Sequence, residues 1–364
     1  MKSQKIGYYV ADVNLKQTSS IGIYRFTINL LEQLIKRRIE ITLFCNEQNH
    51  HLFKRYSKKI KKIIKLKRVC NNHIVNRFFL DQIMINKYIK KEGLTKIVFP
   101  RGFMPLYKIK GIQYYIVIHD LIPRYYLFNK KLSWKMRLKF LPATIMLMLA
   151  IKKADKIFTV SDFSQEEINN HTSKKKVKVI VEGCNLNSLL NKLTKKLECI
   201  KGKPYFYIIG NQNPHKNLER SIELFLDYNK IHKNKFNAIV TVPKIKKFEK
   251  EGAIKFLGHV KDKELATIYK RASISLFLSD IEGFGLPLIE SYSLETPVVF
   301  NNKTSLAEIG RNLKGSCNIK DQKSVFKAIN ESLGMNKKEI LKNKKKLVNK
   351  YNWEECGNKF IKEL

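Results

Sequence analysis

Ser279–Glu290 reads S-D-I-E-G-F-G-L-P-L-I-E, and the reading of the whole chain starts from this stretch. Before it, Ala272–Leu278 is an apolar run of the length of a buried strand, and after it a helical pattern continues to about Leu294. Pro287 stands where a first helical residue belongs, because a missing N–H costs nothing in the first turn. Gly283 and Gly285 permit a sharp turn and let a bulky anion approach main-chain amides. Strand, glycine turn and helix N-terminus together make an anion site from backbone alone. Glu282 lies before the turn and Glu290 is expected in the helix's first turn, with seven residues between them. Facing a phosphate, both carboxylates would repel it. Accepting hydroxyl hydrogen bonds on either side of a diphosphate, each would hold one sugar, and the stretch then reads as a nucleotide-sugar site. The plainer alternative is a helix start whose acidic residues serve only the helix dipole.

The string E-G-F-G-L-P-x-x-E resembles the E-x7-E motif of retaining glycosyltransferases of the GT-B fold, glycosyltransferase family 4. That resemblance implies an α/β protein of two Rossmann-like domains facing across a cleft, with a C-terminal helix crossing back to the first domain. It implies retaining transfer of a sugar from a nucleotide-diphosphate donor. Gly283, Phe284, Gly285 and Leu286 would offer amides to the phosphates, Glu282 would hold the donor sugar, and Glu290 the ribose. Ile208–Arg220, I-I-G-N-Q-N-P-H-K-N-L-E-R, resembles the family run whose lysine contacts the diphosphate, here Lys216. His215 and Asn211 stand where relatives carry arginine, and His215 would supply charge only if protonated. Val117–Pro123, V-I-H-D-L-I-P, sets His119 and Asp120 at a strand's carboxyl end; the resemblance places His119 against donor sugar and acceptor, with Asp120 orienting the pocket or capping the loop. Thr18–Tyr24, T-S-S-I-G-I-Y, matches a glycine-rich acceptor and phosphate loop, with Ser20 and Gly22 as its candidates. The likeness to transferases of bacterial surface-polysaccharide and lipopolysaccharide assembly, mannosyltransferases among them, suggests a saccharide acceptor, lipid-linked.

With 364 residues the chain exceeds one compact α/β core. Strand and helix patterns alternate, as a parallel sheet covered on both faces requires. The pattern resets in a polar stretch, so the expected organisation is an acceptor domain over 1–185, a linker over 186–203, a nucleotide-sugar domain over 204–350, and a returning helix over 351–364. Ser164, with Glu167 three residues on, reads as a capping box opening a helix. Ser133–Lys153 reads as one helical region. Six scattered cysteines without metal-ligand spacing read as reduced thiols of a cytoplasmic protein. Met1–Val10 enters a strand pattern at once, without a signal-peptide core.

Net charge is +40, with 37 basic and 12 acidic residues over 1–182. Such a field draws polyanions: phosphorylated substrates, anionic lipid or nucleic acid. Lys54–Arg68 holds nine basic and no acidic residues, with Ile60, Ile63 and Ile64 at helical spacing. That spacing predicts an amphipathic helix, either solvated or docked on the inner face of an anionic membrane. No nucleic-acid motif accompanies the charge, so nucleic acid is not an expected partner; a basic nucleic-acid-binding protein and an inactive GT-B scaffold are the rival readings. No D-x-D occurs, so no metal site is expected, and no cofactor is implied beyond the donor substrate itself.

Overall fold

The computed structural model describes residues 5–13, 21–67, 79–172, 177–184 and 202–364. The chain divides into two compact units, Met1–Glu182 with Trp353–Leu364, and Gly183–Asn352. The expected linker over 186–203 lies almost wholly outside the described residues.

The first unit is built on seven parallel strands: β1 (Lys5–Tyr9), β2 (Glu40–Asn46), β3 (Lys62–Leu66), β4 (Lys96–Phe99), β5 (Gln113–Ile118), β6 (Lys156–Thr159) and β7 (Val177–Val179). Its helices are α1 (Ile21–Lys36), α2 (His50–Phe53), α3 (Ile85–Lys91), α4 (Ile122–Phe128), α5 (Trp134–Lys139), α6 (Leu141–Lys153) and α7 (Asp162–Asn169). The strands are almost wholly apolar because helices cover both faces of a parallel sheet. Tyr114 to Ile118 of β5, for example, are all buried. The spatial order is β3-β2-β1-β4-β5-β6-β7, so the order reverses between β1 and β4. In open α/β sheets, ligands bind beyond the carboxyl ends of strands at such a point.

The second unit repeats the plan with β8 (Tyr205–Ile208), α8 (Leu218–Ile231), β9 (Asn237–Val240), β10 (Ile254–Phe256), α9 (Asp262–Arg271), β11 (Ile274–Phe277), α10 (Leu286–Ser293), β12 (Val298–Asn301), α11 (Thr304–Ile309), β13 (Ser316–Cys317), α12 (Gln322–Leu333) and α13 (Lys337–Lys350). Its order is β10-β9-β8-β11-β12-β13, with the reversal between β8 and β11. A final helix, α14 (Trp353–Lys362), belongs to the first unit. It lies against α1: a Cβ at Gly357 would stand 2.8 Å from Gln33 Cβ, so only glycine permits this approach. Arg37, just past the end of α1, donates from Nη2 to Asn358 Oδ1 at 2.6 Å and to the Glu354 carbonyl at 2.9 Å. Phe360 meets Phe158 with ring centroids 4.4 Å apart.

Three sequence expectations fail locally. The basic stretch from Lys54 is not a helix: a 3₁₀ turn over Lys54–Tyr56 leads to β3, which pairs with β2 in parallel. The pattern K-I-I-K-L fits either period, and Ile64 and Leu66 bury as alternate strand positions; Lys65 on the other face is exposed, as is Lys62 where the strand begins. Lys62 is engaged with Glu92 at 2.8 Å. The helical ground for membrane docking at this segment is therefore lost. Ser133–Lys153 forms two helices instead of one, because Pro142 is tolerated only in a first turn and so opens α6. The cap of α7 is Ser161, whose Oγ accepts from Ser164 N–H at 3.1 Å; Ser164 lies inside the helix and donates its hydroxyl to the His119 carbonyl.

Candidate functional site

In the second unit the candidate residues gather at the carboxyl ends of β8 and β11, the two strands flanking the reversal. After β8, Pro214–Lys216 makes a single 3₁₀ turn, and Asn217 enters the left-handed region at φ 48° to start α8. After β11, the chain is pinned by three contacts to its main chain. Asn217 Nδ2 donates to the Leu278 carbonyl at 3.0 Å, Asn301 Nδ2 to the Ser279 carbonyl at 2.8 Å, and Ser305 Oγ to the Glu282 carbonyl at 2.8 Å. Asp280 N–H also donates to the His215 carbonyl at 2.7 Å, tying the two loops together.

This frame brings two predicted residues into contact. Lys216 Nζ lies 2.6 Å from Glu282 Oε1, with both side chains mostly buried, and stands over the Phe277 ring. Each thus holds the other in place: a lysine suited to phosphate and a carboxylate suited to hydroxyls. Gly285 caps α10 at φ 134°, and a Cβ there would lie 2.7 Å from Leu306 Cδ2. No side chain caps that helix; Pro287 carries no N–H and Leu288 N–H donates to the Gly285 carbonyl at 2.9 Å, which leaves the Leu286 amide at its start for an anion. Gly283 and Phe284 are buried, and Phe284 packs its ring edge-on against Tyr351, so any part it takes in binding is through its amide. Leu286 opens the helix and Pro287 is its second residue, one later than expected.

Glu290 lies one turn deeper than the sequence suggested, the fifth residue of α10, with no acid in the first turn. It is buried, and its Oε2 accepts from Tyr269 Oη at 3.0 Å. Burial, then the Glu290 charge, pushes the Tyr269 hydroxyl well above its ordinary range, so it remains a donor. Tyr269 in turn stands edge-on to Tyr207 of β8. His215 is corrected as a cation: it is 4 % exposed, and burial lowers its pKa to about 4, so it is neutral in neutral solution. Lys216 carries the positive charge of that loop.

In the first unit His119 follows β5 and is buried. Its Nε2 lies 3.0 Å from the Pro100 carbonyl and its Nδ1 3.3 Å from Glu182 Oε1. Two oxygens thus flank one ring, one beside each nitrogen. Phe26 of α1 stacks edge-on against the ring at 4.7 Å. His119 is thus a strut between the ends of β4 and β7, and a ligand hydrogen-bonding to it would displace a protein partner. Asp120 accepts from Ile122 N–H at 2.9 Å and so caps the turn into α4. At the reversal itself Arg101 lies beside Asp12, Nε to Oδ2 3.7 Å, and also donates to the Asp12 carbonyl. Gly22 is in the first turn of α1 and exposed, and no described atom lies within 4 Å of where a Cβ would stand. Ser20 lies outside the described residues.

Glu182, Tyr269, Asp12 and Arg101 were not singled out in the sequence. Each is joined to its partner across tens of residues, and no local spacing marks it. The sole available hint was the strand-end position of Asp12 and Arg101.

Comparison with known proteins adds the following. The family model described as Glycosyltransferase Family 4 matches residues 21–188, and that described as Glycosyl transferases group 1 matches residues 191–347. The chain is 26 % identical over 228 residues to the O-antigen chain mannosyltransferase RfbU of Salmonella typhimurium, covering 59 % of each chain. It is 26 % identical over 177 residues to the O-antigen chain mannosyltransferase B of Escherichia coli, covering 44 % of this chain and 46 % of that one. The matches thus span about half to three-fifths of these relatives. Anabaena HepE, solved in complex with UDP and glucose, superposes with a TM-score of 0.69 at 13 % identity, over 99 % of both chains. That likeness shows the fold, the two-unit α/β plan of GT-B proteins.

Proposed function

Because this chain belongs to glycosyltransferase family 4, we propose that it moves a hexosyl group, a mannosyl group by analogy with its relatives, from a nucleotide-diphosphate sugar to a saccharide acceptor. The reading extends to retention of configuration and to an acceptor on a lipid carrier in surface-polysaccharide or lipopolysaccharide assembly, with the enzyme working at the cytoplasmic membrane face. The observation that carries it is the Lys216–Glu282 contact at the carboxyl ends of β8 and β11, beside the uncapped start of α10.

As the glycosidic bond to the β-phosphate lengthens, negative charge grows on the diphosphate and positive charge on the sugar. Lys216 and the amides of the turn that ends at Leu286 oppose the first, acting as preorganised donors that need not reorient. Glu282 accepts from donor-sugar hydroxyls and faces the second. Glu290, its carboxylate held by Tyr269, accepts from ribose hydroxyls. The leaving phosphate can take the acceptor's proton, so the mechanism needs no separate base and, on this reading, no divalent metal. A panel of nucleotide sugars, assayed with and without chelator for release of nucleoside diphosphate, tests the proposal. Release from one donor that persists in chelator supports it. No release from any donor with lipid-extracted acceptors overturns it, and loss in chelator overturns the metal-free part.

A further inference from the structure

Residues 121–154 contain eight basic and no acidic side chains. The same segment holds six of the large hydrophobic side chains that stand exposed: Phe128, Trp134, Met136, Leu138, Leu141 and Ile145. Trp134 is 64 % exposed and Phe128 60 %. Sequence W-K-M-R-L-K forms α5, which buries none of its six residues. A helix this short has no stability of its own. It is held by Ser133, whose Oγ accepts from Met136 N–H at 3.3 Å, and by Arg137, whose Nε donates to the Leu127 carbonyl at 2.8 Å. In α6, Thr144, Leu147, Ala150 and Ile151 face the core. Leu141, Ile145 and Leu149 recur every fourth residue on the other side, the first two exposed and the third half-buried. No charge interrupts Phe140–Ile151. A helix that is apolar all round is ordinarily covered all round, and this one has a single face covered.

What would cover the outer face must be both apolar and anionic. A second copy would bring the same cations against these, at like charge. Nucleic acid would satisfy the lysines and leave Leu141 and Ile145 in water. An anionic bilayer matches both: tryptophan and phenylalanine sit at headgroup level, aliphatic side chains enter the acyl boundary, and lysine and arginine meet lipid phosphates. Arg124 over Phe128 at 5.1 Å and Lys135 over Trp134 at 5.8 Å already set cations beside the two exposed rings. We propose that the outer face of α4, α5 and α6 docks the protein on an anionic lipid surface. This deepens the reading of a lipid-borne acceptor, yet binding can be measured without any donor, so the two fail separately.

The test is co-sedimentation of the full chain with phosphatidylcholine vesicles, with and without phosphatidylglycerol. Wild type should pellet with the anionic vesicles. Replacing Lys130, Lys131, Lys135 and Lys139 with Gln should lower partitioning by roughly fivefold for each charge at low salt. The triple variant Trp134→Ser, Leu138→Ser, Ile145→Ser should lose the binding that persists at high salt, with its melting temperature unchanged because all three side chains are exposed. Lys58→Gln, Lys59→Gln, Lys61→Gln, Lys62→Gln, which alters the loop and strand β3, should pellet far more like wild type than the first variant. The proposal is overturned if wild type stays in the supernatant, if neither variant of this face changes binding, or if the β3 variant loses as much as the first. It is also overturned if the serine triple abolishes a dimer seen by sedimentation equilibrium. Vesicle binding without donor turnover would retain this surface and remove the transferase reading; turnover without vesicle binding would do the reverse.

Discussion

Lys216→Gln and Glu282→Gln should move nucleotide affinity in opposite directions. At 2.6 Å and an effective dielectric near 20, the attraction between the two charges is about 6 kcal/mol before desolvation. Both side chains are mostly out of water, so much of that is offset, and the net coupling should be nearer 1–3 kcal/mol. A diphosphate arriving at α10 competes with Glu282 for the ammonium. Lys216→Gln removes the cation and should weaken nucleoside-diphosphate binding about 10–100-fold, roughly 1.4–2.8 kcal/mol. Glu282→Gln releases the lysine from its internal carboxylate, so the free nucleotide should bind as tightly as to wild type or up to about tenfold tighter. Transfer by the same variant should fall at least about 100-fold, because the negative charge that faces the positive charge growing on the sugar is gone, even though the amide oxygen can still accept from a hydroxyl. Isothermal titration with UDP and GDP, beside nucleotide release from the active donor, reads both quantities. If Glu282→Gln weakens nucleotide as much as Lys216→Gln does, or if Lys216→Gln binds like wild type, the lysine does not meet the diphosphate and the assignment fails.

Gly285→Ala should cost about 2–4 kcal/mol of stability and abolish nucleotide binding, since φ 134° is hostile to a Cβ and Leu306 stands 2.7 Å from it; chemical denaturation and titration check this, and a wild-type melt would refute it. Tyr269→Phe removes the buried hydroxyl that donates to Glu290 Oε2, and should cost about 1–3 kcal/mol and weaken nucleotide binding several-fold. His215 has a folded pKa of about 4, below its unfolded value, so its contribution is complete above about pH 6.5 and is lost as pH falls toward 4, at up to about 1.4 kcal/mol per pH unit. Calorimetry of His215→Gln against wild type should show that slope flattened in the variant; parallel slopes would refute it.

Most of the fold was legible because a buried parallel strand is an unbroken apolar run and little else looks like it. The candidate site of the second unit was legible for a related reason. Its glycines, Pro287, Glu282 and Glu290 are neighbours in sequence, and turn geometry leaves few residues able to stand at Gly285. What escaped notice is long-range. Nothing local couples Tyr269 to Glu290 or Glu182 to His119, and the polar contacts of a buried group are fixed only when separate strands come together. Lys54–Arg68 misled because K-I-I-K-L satisfies both a helical and a strand period, and parallel pairing with β2 decided the matter. The outer face of α6 escaped for another reason: an apolar run does not say which of its sides is packed, and only the folded structure shows which one is left uncovered.

The docking of α14 on α1 has a consequence for how the protein is made. Residues 353–364 leave the ribosome only after the whole second unit has been synthesised, yet Trp353, Cys356 and Phe360 fill space in the first. The half that is translated earliest is therefore finished last, and until then the apolar flank of Phe26 and Phe158 awaits its cover. A chain interrupted after Asn352 would retain every residue of the second unit and still show its damage at the opposite end of the polypeptide.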